Sequence, residues 1–337
     1  MTKGLTYITL AALLAASCVK VDIDEGRQAE VSFSTYATRR MTKAGDSFVA
    51  PGASFVTGAQ IGVYGFYHDN SAWAAETAAG TNKPDFMYDQ LVEKQENGTW
   101  TYSPIKYWPN EYGADSQGRV DKLSFWAYYP YHATGLSLYA SGTTTPYNNT
   151  TNGYPKLTFT QQEDPDDMID LMVATPVTDI YRTLTHSVDE STWTYGALTN
   201  GAVNLMFTHA LALVDFELVE GTNAYINELN LTNICKTGTL ADASVLTWSN
   251  TTDLYDIEME DITLDGPLVL RILVIPQSIH ADATFSLDYD IHFASSDNTG
   301  DIVYSGESAE AKLFRNEGDE NDYGVTAWLP GNITFIG

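Results

Sequence analysis

The chain has 337 residues, with 44 acidic against 17 basic side chains and a net charge of −27 at pH 7. That balance disfavours nucleic acid and anionic membrane surfaces as partners, because like charges repel across the whole molecular face. Its two cysteines, Cys18 and Cys235, are too few for an internal disulfide framework or a cysteine-based metal site.

The first line, MTKGLTYITLAALLAASC, has a lysine near its start, an apolar run from Leu5 to Ala16, and small residues before Cys18. A basic end, a short apolar core and small residues at the cut predict a secretory signal peptide over residues 1–17. The apolar run is shorter than the roughly 20 residues a transmembrane helix needs. Small residues directly before a cysteine resemble the lipobox of bacterial lipoproteins, in which Cys18 would be lipidated and become the first residue. Ala15 departs from that pattern, standing where Leu is usual. A plain signal peptide with an incidental cysteine is the alternative. A diacylated Cys18 would hold the protein on a membrane surface without spanning it.

Residues 18–40 end in AEVSFSTYATRR, Ala29 to Arg40, with Met41 next. Val31, Phe33 and Thr35 alternate with Ser32, Ser34 and Tyr36, the period of a strand laid over a core. Arg39 and Arg40 follow at once, two of the few cations in an acidic chain. Losing such a strand would expose apolar surface and unpaired backbone groups, and an edge of that kind recruits another strand. The alternative is an ordinary solvated linker.

The remainder is written for sheets. Runs rich in Tyr, Thr, Val, Ile, Phe and Trp are separated by Gly, Asn, Asp, Ser and Pro. They include QIGVYGFY (Gln60 to Tyr67), KLSFWAYY (Lys122 to Tyr129), KLTFT (Lys156 to Thr160), DLMVA (Asp170 to Ala174) and VNLMFTHALALVDFEL (Val203 to Leu218). INELNLTNI, LVLRILVIPQ, TFSLDYDIHF and DIVYSG follow, between Ile226 and Gly306. Helical periodicity is scarce, and Ala72 to Ala79 is too short and Gly-bounded to predict a helix. Many short strands with frequent turn signals predict an all-β fold of two β-sandwiches in series. Residues 41–190 form the first and 191–337 the second, the boundary falling in the polar, turn-rich stretch from Thr175 to Gly201. Ser141 to Pro155, SGTTTPYNNTTNGYP, reads as a long surface loop.

Signals for chemistry are weak. Glu163, Asp164, Asp166, Asp167 and Asp170 gather in EDPDDMID, and such oxygens suit hard cations. The spacing is not that of an EF-hand loop and Pro165 interrupts it, so the segment reads as a solvated acidic loop. His209 sits among apolar neighbours and reads as a core histidine, and Cys235 as an inward-facing strand residue. The six histidines never pair at metal-ligand spacing. No phosphate loop, G-x-S-x-G elbow or H-E-x-x-H occurs. The reading is of no enzyme, no cofactor and no metal. Aromatics make up 12% of the chain and are dense in WTYSPIKYWPNEY, Trp100 to Tyr112. They serve sandwich cores and strand pairs, while exposed aromatic platforms would suit glycans.

Taken in order, VSFST, TRR, GAQIGVYGFY, PIKYWPN, LSFWAYYPY, DLMVA, LMFTHALALVDFEL, LVIPQ and AWLPG make the chain resemble the fimbrillin family of Bacteroidales, the subunits of type V pili. The resemblance implies two transthyretin-like β-sandwiches on a lipid-anchored precursor of the outer membrane. It also implies that an extracellular Arg-specific protease cuts at Arg39 or Arg40 and removes a strand of roughly Ala29 to Tyr36. A strand from another pilin subunit then fills the groove. Stalk members carry a C-terminal donor segment, whereas only six residues follow Gly331 here. Expected from this are a tip or accessory subunit that accepts a strand, a truncated sequence, or an anchor pilin, against which the Arg pair speaks. Two classes stay open: a structural and adhesive pilin, with a host or bacterial surface ligand, and a lipid-anchored glycan-binding protein that stays monomeric.

Overall fold

The structure, a computed structural model, describes residues 30–37, 54–109, 121–162, 167–186, 191–196, 201–217, 223–250, 254–265, 269–294, 301–307, 311–312, 327–330 and 333–336. The signal peptide, Cys18, Arg39 and Arg40 lie outside the described residues, as do Glu163, Asp164 and Asp166.

The regular structure of the described chain is nearly all β-strand, as the run-and-turn pattern predicts. A nine-stranded sheet is built from β1 (Ser32–Ala37), β2 (Gln60–His68), β3 (Met87–Lys94), β4 (Trp100–Thr101) and β5 (Lys122–Tyr129), joined by four later strands. Those are β8 (Met172–Ala174), β9 (Val177–His186), β10 (Ser191–Gly196) and β11 (Ala202–His209). The main order is β1-β11-β8-β5-β2-β3-β4, with β9 and β10 branching from β5. Every pair is antiparallel except β1 on β11, which is parallel.

The sheet curls until its ends meet. Glu30 forms a β-bridge with Tyr107, just beyond β4, and the Val31 amide donates to the Lys106 carbonyl at 2.9 Å. One face encloses a core that includes Val31, Phe33, Ile61, Val63, Phe125 and Phe207. On the other face Tyr64, Phe66, Trp126 and Tyr128 join a second core. Strands covered on both faces need apolar residues at nearly every position rather than at alternate ones, which is why KLSFWAYY reads as one continuous run.

A four-stranded sheet, β15-β14-β7-β6, contains β6 (Leu136–Tyr139), β7 (Lys156–Thr160), β14 (Thr237–Leu240) and β15 (Trp248–Asn250). The remaining strands are β12 (Ala212–Glu217), β13 (Asn223–Ile234), β16 (Tyr255–Asp265), β17 (Val269–Val274), β18 (Gln277–Ser278) and β19 (Thr284–Ala294). They are followed by β20 (Asp301–Glu307), β21 (Ala311–Lys312), β22 (Ala327–Trp328) and β23 (Ile333–Ile336). They form the sheets β17-β12-β23 and β16-β13-β19-β20, with β21 on β19 and a separate β18-β22 pair. The second core runs unbroken from Phe66 and Trp126 to Leu229, Ile257 and Ile272.

Two sequence readings are corrected here, on the connector and on the helix. The stretch from Thr175 to Gly201, read as a polar connector, holds the β9-β10 hairpin. Its Thr, Tyr and Trp residues suit cross-strand pairs despite their polarity. The expected boundary at 190/191 falls inside that hairpin. Beyond it β11 completes the first sheet, and β14 pairs with β7, Leu240 opposite Leu157. Finally, Trp73–Ala79 is a helix, α1, closed by Gly80 in the left-handed conformation at φ 66°. Its length alone would not sustain it; Trp73 anchors it by stacking on Tyr154, ring centroids 4.7 Å apart.

The long run VNLMFTHALALVDFEL becomes two strands, β11 and β12, joined through Ala210 and Leu211. Both β1 and β23 run parallel to this segment, Ala37 beside Phe207 and Ile333 beside Leu213. Ile333–Ile336 therefore supply a strand to the β12 sheet.

Candidate functional site at the N-terminal strand

β1 follows from its sequence pattern. Val31, Phe33 and Ala37 are buried and Thr35 is half-buried, while Ser32, Ser34 and Tyr36 face outward. The strand therefore contributes one apolar row to the enclosed core and a polar row to the surface. Phe33 meets Tyr102 and Phe125 edge-to-face, with ring centroids 5.7 and 5.5 Å apart. Such aromatic pairs add to the area that each ring buries.

The two sides of β1 are held unequally. Along one side it pairs with β11 over its whole length, from Ser32 opposite Ala202 to Ala37 opposite Phe207. Outward-facing side chains follow the same register, Ser34 Oγ donating to Asn204 Oδ1 at 3.3 Å and Tyr36 Oη to Met206 Sδ at 2.7 Å. On the other side, among the described residues, the backbone is tied near its start, by Glu30, Val31 and the segment around Lys106. Tyr102 reinforces that tie by donating its hydroxyl to the Val31 carbonyl at 2.6 Å. Burial pushes the Tyr102 pKa up to about 12.

β1 is thus the closing stave of a curled sheet. Without it, β11 would become an edge with a row of unpaired backbone groups, above a trough lined by Phe125, Val203, Leu205 and Phe207. The structure brings together the predicted strand residues Val31, Phe33 and Thr35. Tyr102 and Lys106, the partners on its far side, carried no signal that singled them out within an aromatic-rich segment.

Other expected features fall away from this site. Trp100 and Trp108 are buried in the enclosed core, so they serve packing rather than a surface platform. His209 is fully buried, its Nδ1 2.7 Å from Asp170 Oδ1. Cys235 is buried just past the end of β13, its backbone N–H donating to Gln277 Oε1 at 2.7 Å.

Against known families, a model described as fimbrillin-like matches residues 40–326. Among solved structures, a candidate cell adhesion protein from Bacteroides ovatus is similar at 12% identity and a TM-score of 0.46, over 84% of this chain and 87% of that one. A second, from Bacteroides uniformis, has 15% identity and a TM-score of 0.42, over 92% and 93%. The tip fimbrial protein Mfa3 from Porphyromonas gingivalis, C-terminally truncated, has 11% identity and a TM-score of 0.36, over 91% and 94%. No curated protein sequence matches the chain.

Proposed function

The chain belongs to the fimbrillin-like family, and on that premise we propose that it is a structural, adhesive and non-catalytic fimbrial subunit assembled by exchange of its first strand. In this reading the chain is exported, lipidated at Cys18 and held at the outer membrane. An extracellular Arg-specific protease cuts after Arg39 or Arg40, β1 leaves, and a strand from another subunit takes its place beside β11. The chain acts as a tip or accessory subunit, and its membrane contact is the lipid alone.

The observation that carries this reading is the unequal attachment of β1. Its Val31 and Phe33 are buried, yet among the described residues its backbone is paired along its whole length on one side only. Burying two large apolar side chains is worth on the order of 3–6 kcal/mol, which an incoming strand of similar pattern would recover. Cleavage two or three residues past Ala37 would leave the strand without a covalent tether to the rest of the sheet.

The test is the intact mass of the purified mature protein before and after brief Arg-specific proteolysis. One clean loss ending at Arg39 or Arg40, followed by higher-order species when a partner subunit is added, supports the reading. Resistance at both arginines, or a cut with no change in association, refutes it.

A further inference from the structure

A second feature of the first unit lies apart from β1. Tyr64, Tyr88, Tyr128 and Tyr147 surround a cleft of about 260 Å³ together with Asp89 and His132. Leu136 and Leu138 complete its wall. The cleft opens to solvent through Tyr88, 42% exposed, and His132, whose side chain is 62% exposed.

The backbone is bent to build it. The pairing of β2 with β3 shifts register between Val63 and Gly65, opposite the Tyr88–Asp89 step. A β-bulge of this kind re-aims a side chain. Asp89 has φ 42° and His132 has φ 50°, left-handed conformations that non-glycine residues rarely take. The two strained residues meet each other, His132 Nε2 lying 2.7 Å from Asp89 Oδ2. Tyr131 stacks on the imidazole with ring centroids 3.9 Å apart, fixing its plane. Strain concentrated on two contacting side chains is a mark of functional clefts.

The polar groups of the wall are already committed, and all in one sense. Tyr128 Oη donates to Asp89 Oδ1 at 2.8 Å. Tyr88 Oη donates to the Tyr147 carbonyl at 2.6 Å, and Tyr147 Oη donates to the Gly153 carbonyl. The imidazole N–H is spent on Asp89. What the cleft offers a guest is therefore one carboxylate charge, phenol lone pairs and the exposed ring of Tyr88, without a spare hydroxyl proton from Tyr88, Tyr128 or Tyr147. Such a wall repels anions and poorly serves a sugar, which needs donors as well as acceptors. Each oxygen of Asp89 already accepts one hydrogen bond, so a guest meets its charge and the lone pairs left over. A cation that needs charge and π faces but makes no hydrogen bonds of its own meets that description.

We propose that this tyrosine-walled cleft binds a small quaternary ammonium group, with Asp89 supplying the counter-charge and Tyr88 the outer ring face. The cleft volume suits a small head group rather than a larger ligand. The site is independent of the first strand, so the uncut chain is competent to bind.

The experiment titrates the full mature chain by calorimetry with choline, with its neutral isostere 3,3-dimethyl-1-butanol, and with methylammonium as a primary cation. The expected result is saturable choline binding, at least about tenfold tighter than either comparison compound, the scale of one or two cation–π contacts. Asp89→Asn keeps the left-handed backbone, which Asn tolerates, and should weaken choline about tenfold; Tyr88→Ala, at the exposed rim, should do the same. Choline binding that fails to saturate, equal affinity for the neutral isostere, or tighter binding of methylammonium would each overturn the proposal. The isostere comparison uses the unaltered protein and stands even if a variant misfolds.

Discussion

Tyr102 donates a hydrogen bond to the Val31 carbonyl at 2.6 Å, tying the segment after β4 to the start of β1. The same ring packs edge-to-face with Phe33, so one side chain braces β1 both by its hydroxyl and by its ring. On that side of the strand the other ties among the described residues are the Glu30–Tyr107 bridge and the Val31–Lys106 hydrogen bond. Tyr102 is therefore the latch of the stave, and its chemistry sets how firmly β1 is held.

Tyr102→Phe keeps the ring and removes the latch. At neutral pH the variant should lose about 1 kcal/mol, the net worth of one such hydrogen bond. Burial raises the folded-state pKa from 10.0 to about 12, so the folded protein keeps the phenolic proton where the unfolded chain has shed it. The stability this group contributes is complete below pH 10 and is lost as pH climbs through 12. Urea midpoints at pH 7 and across the alkaline range should show the gap between wild type and variant narrowing, then reversing. A constant gap would mean that the Tyr102 proton is not coupled to folding.

Phe33→Ala should cost the uncut chain about 3–5 kcal/mol, the range for truncating a buried aromatic ring. Ser34→Ala, one residue on but facing outward, should stay within about 0.5 kcal/mol. Hydrogen exchange adds the location: amides from Ala202 to Phe207 should exchange faster in Phe33→Ala if β1 opens by itself. Equal effects at the two positions would contradict the facing of the strand.

That facing was legible in the sequence, because SFSTYA alternates with period two and only one register buries Phe33. KLSFWAYY and KLTFT were legible to the residue for a related reason, since each is bounded by turn residues and dense in β-formers. The pairing of β14 with β7 was not. It joins Leu240 to Leu157 across a long sequence separation, and strand periodicity carries no information about the partner. The bulge at Asp89 was hidden too. Nothing in MYDQLVEK marks it, and only the register shift against β2 turns the carboxylate into the tyrosine cleft. The cores explain why Trp100 and Trp108 gave no functional signal: a buried tryptophan and a binding tryptophan look alike in one dimension.

Gly62 has a role that its neighbours impose. It sits opposite Tyr128 across β2 and β5, and a Cβ there would lie 2.2 Å from Tyr128 Cε1. Gly62→Ala should therefore push the ring aside and cost about 1–3 kcal/mol, as overpacking does. Because Tyr128 also donates to Asp89, the variant should bind choline more weakly than wild type while β1 stays in place. Thermal melts and the same calorimetric titration check both halves. An unchanged melt would mean that the ring has room to move.

His209 and Asp170 test what holds the joint between β11 and β12. Both side chains are fully buried, with Nδ1 and Oδ1 2.7 Å apart. The next residue of each strand repeats the tie, the Ala210 amide donating to the Leu171 carbonyl at 2.8 Å. Trp248 Nε1 donates to the Ala210 carbonyl at 2.8 Å from the far side. Asp170→Leu leaves a neutral imidazole with an unpaired N–H, which costs about 1–3 kcal/mol. His209→Leu instead takes one partner from a buried carboxylate, and breaking a buried pair in that way costs about 3–5 kcal/mol. The double substitution removes both polar groups and should be less destabilising than the sum of the two. Urea denaturation of all four proteins reads the cycle, and simple additivity would mean that the two side chains do not depend on each other.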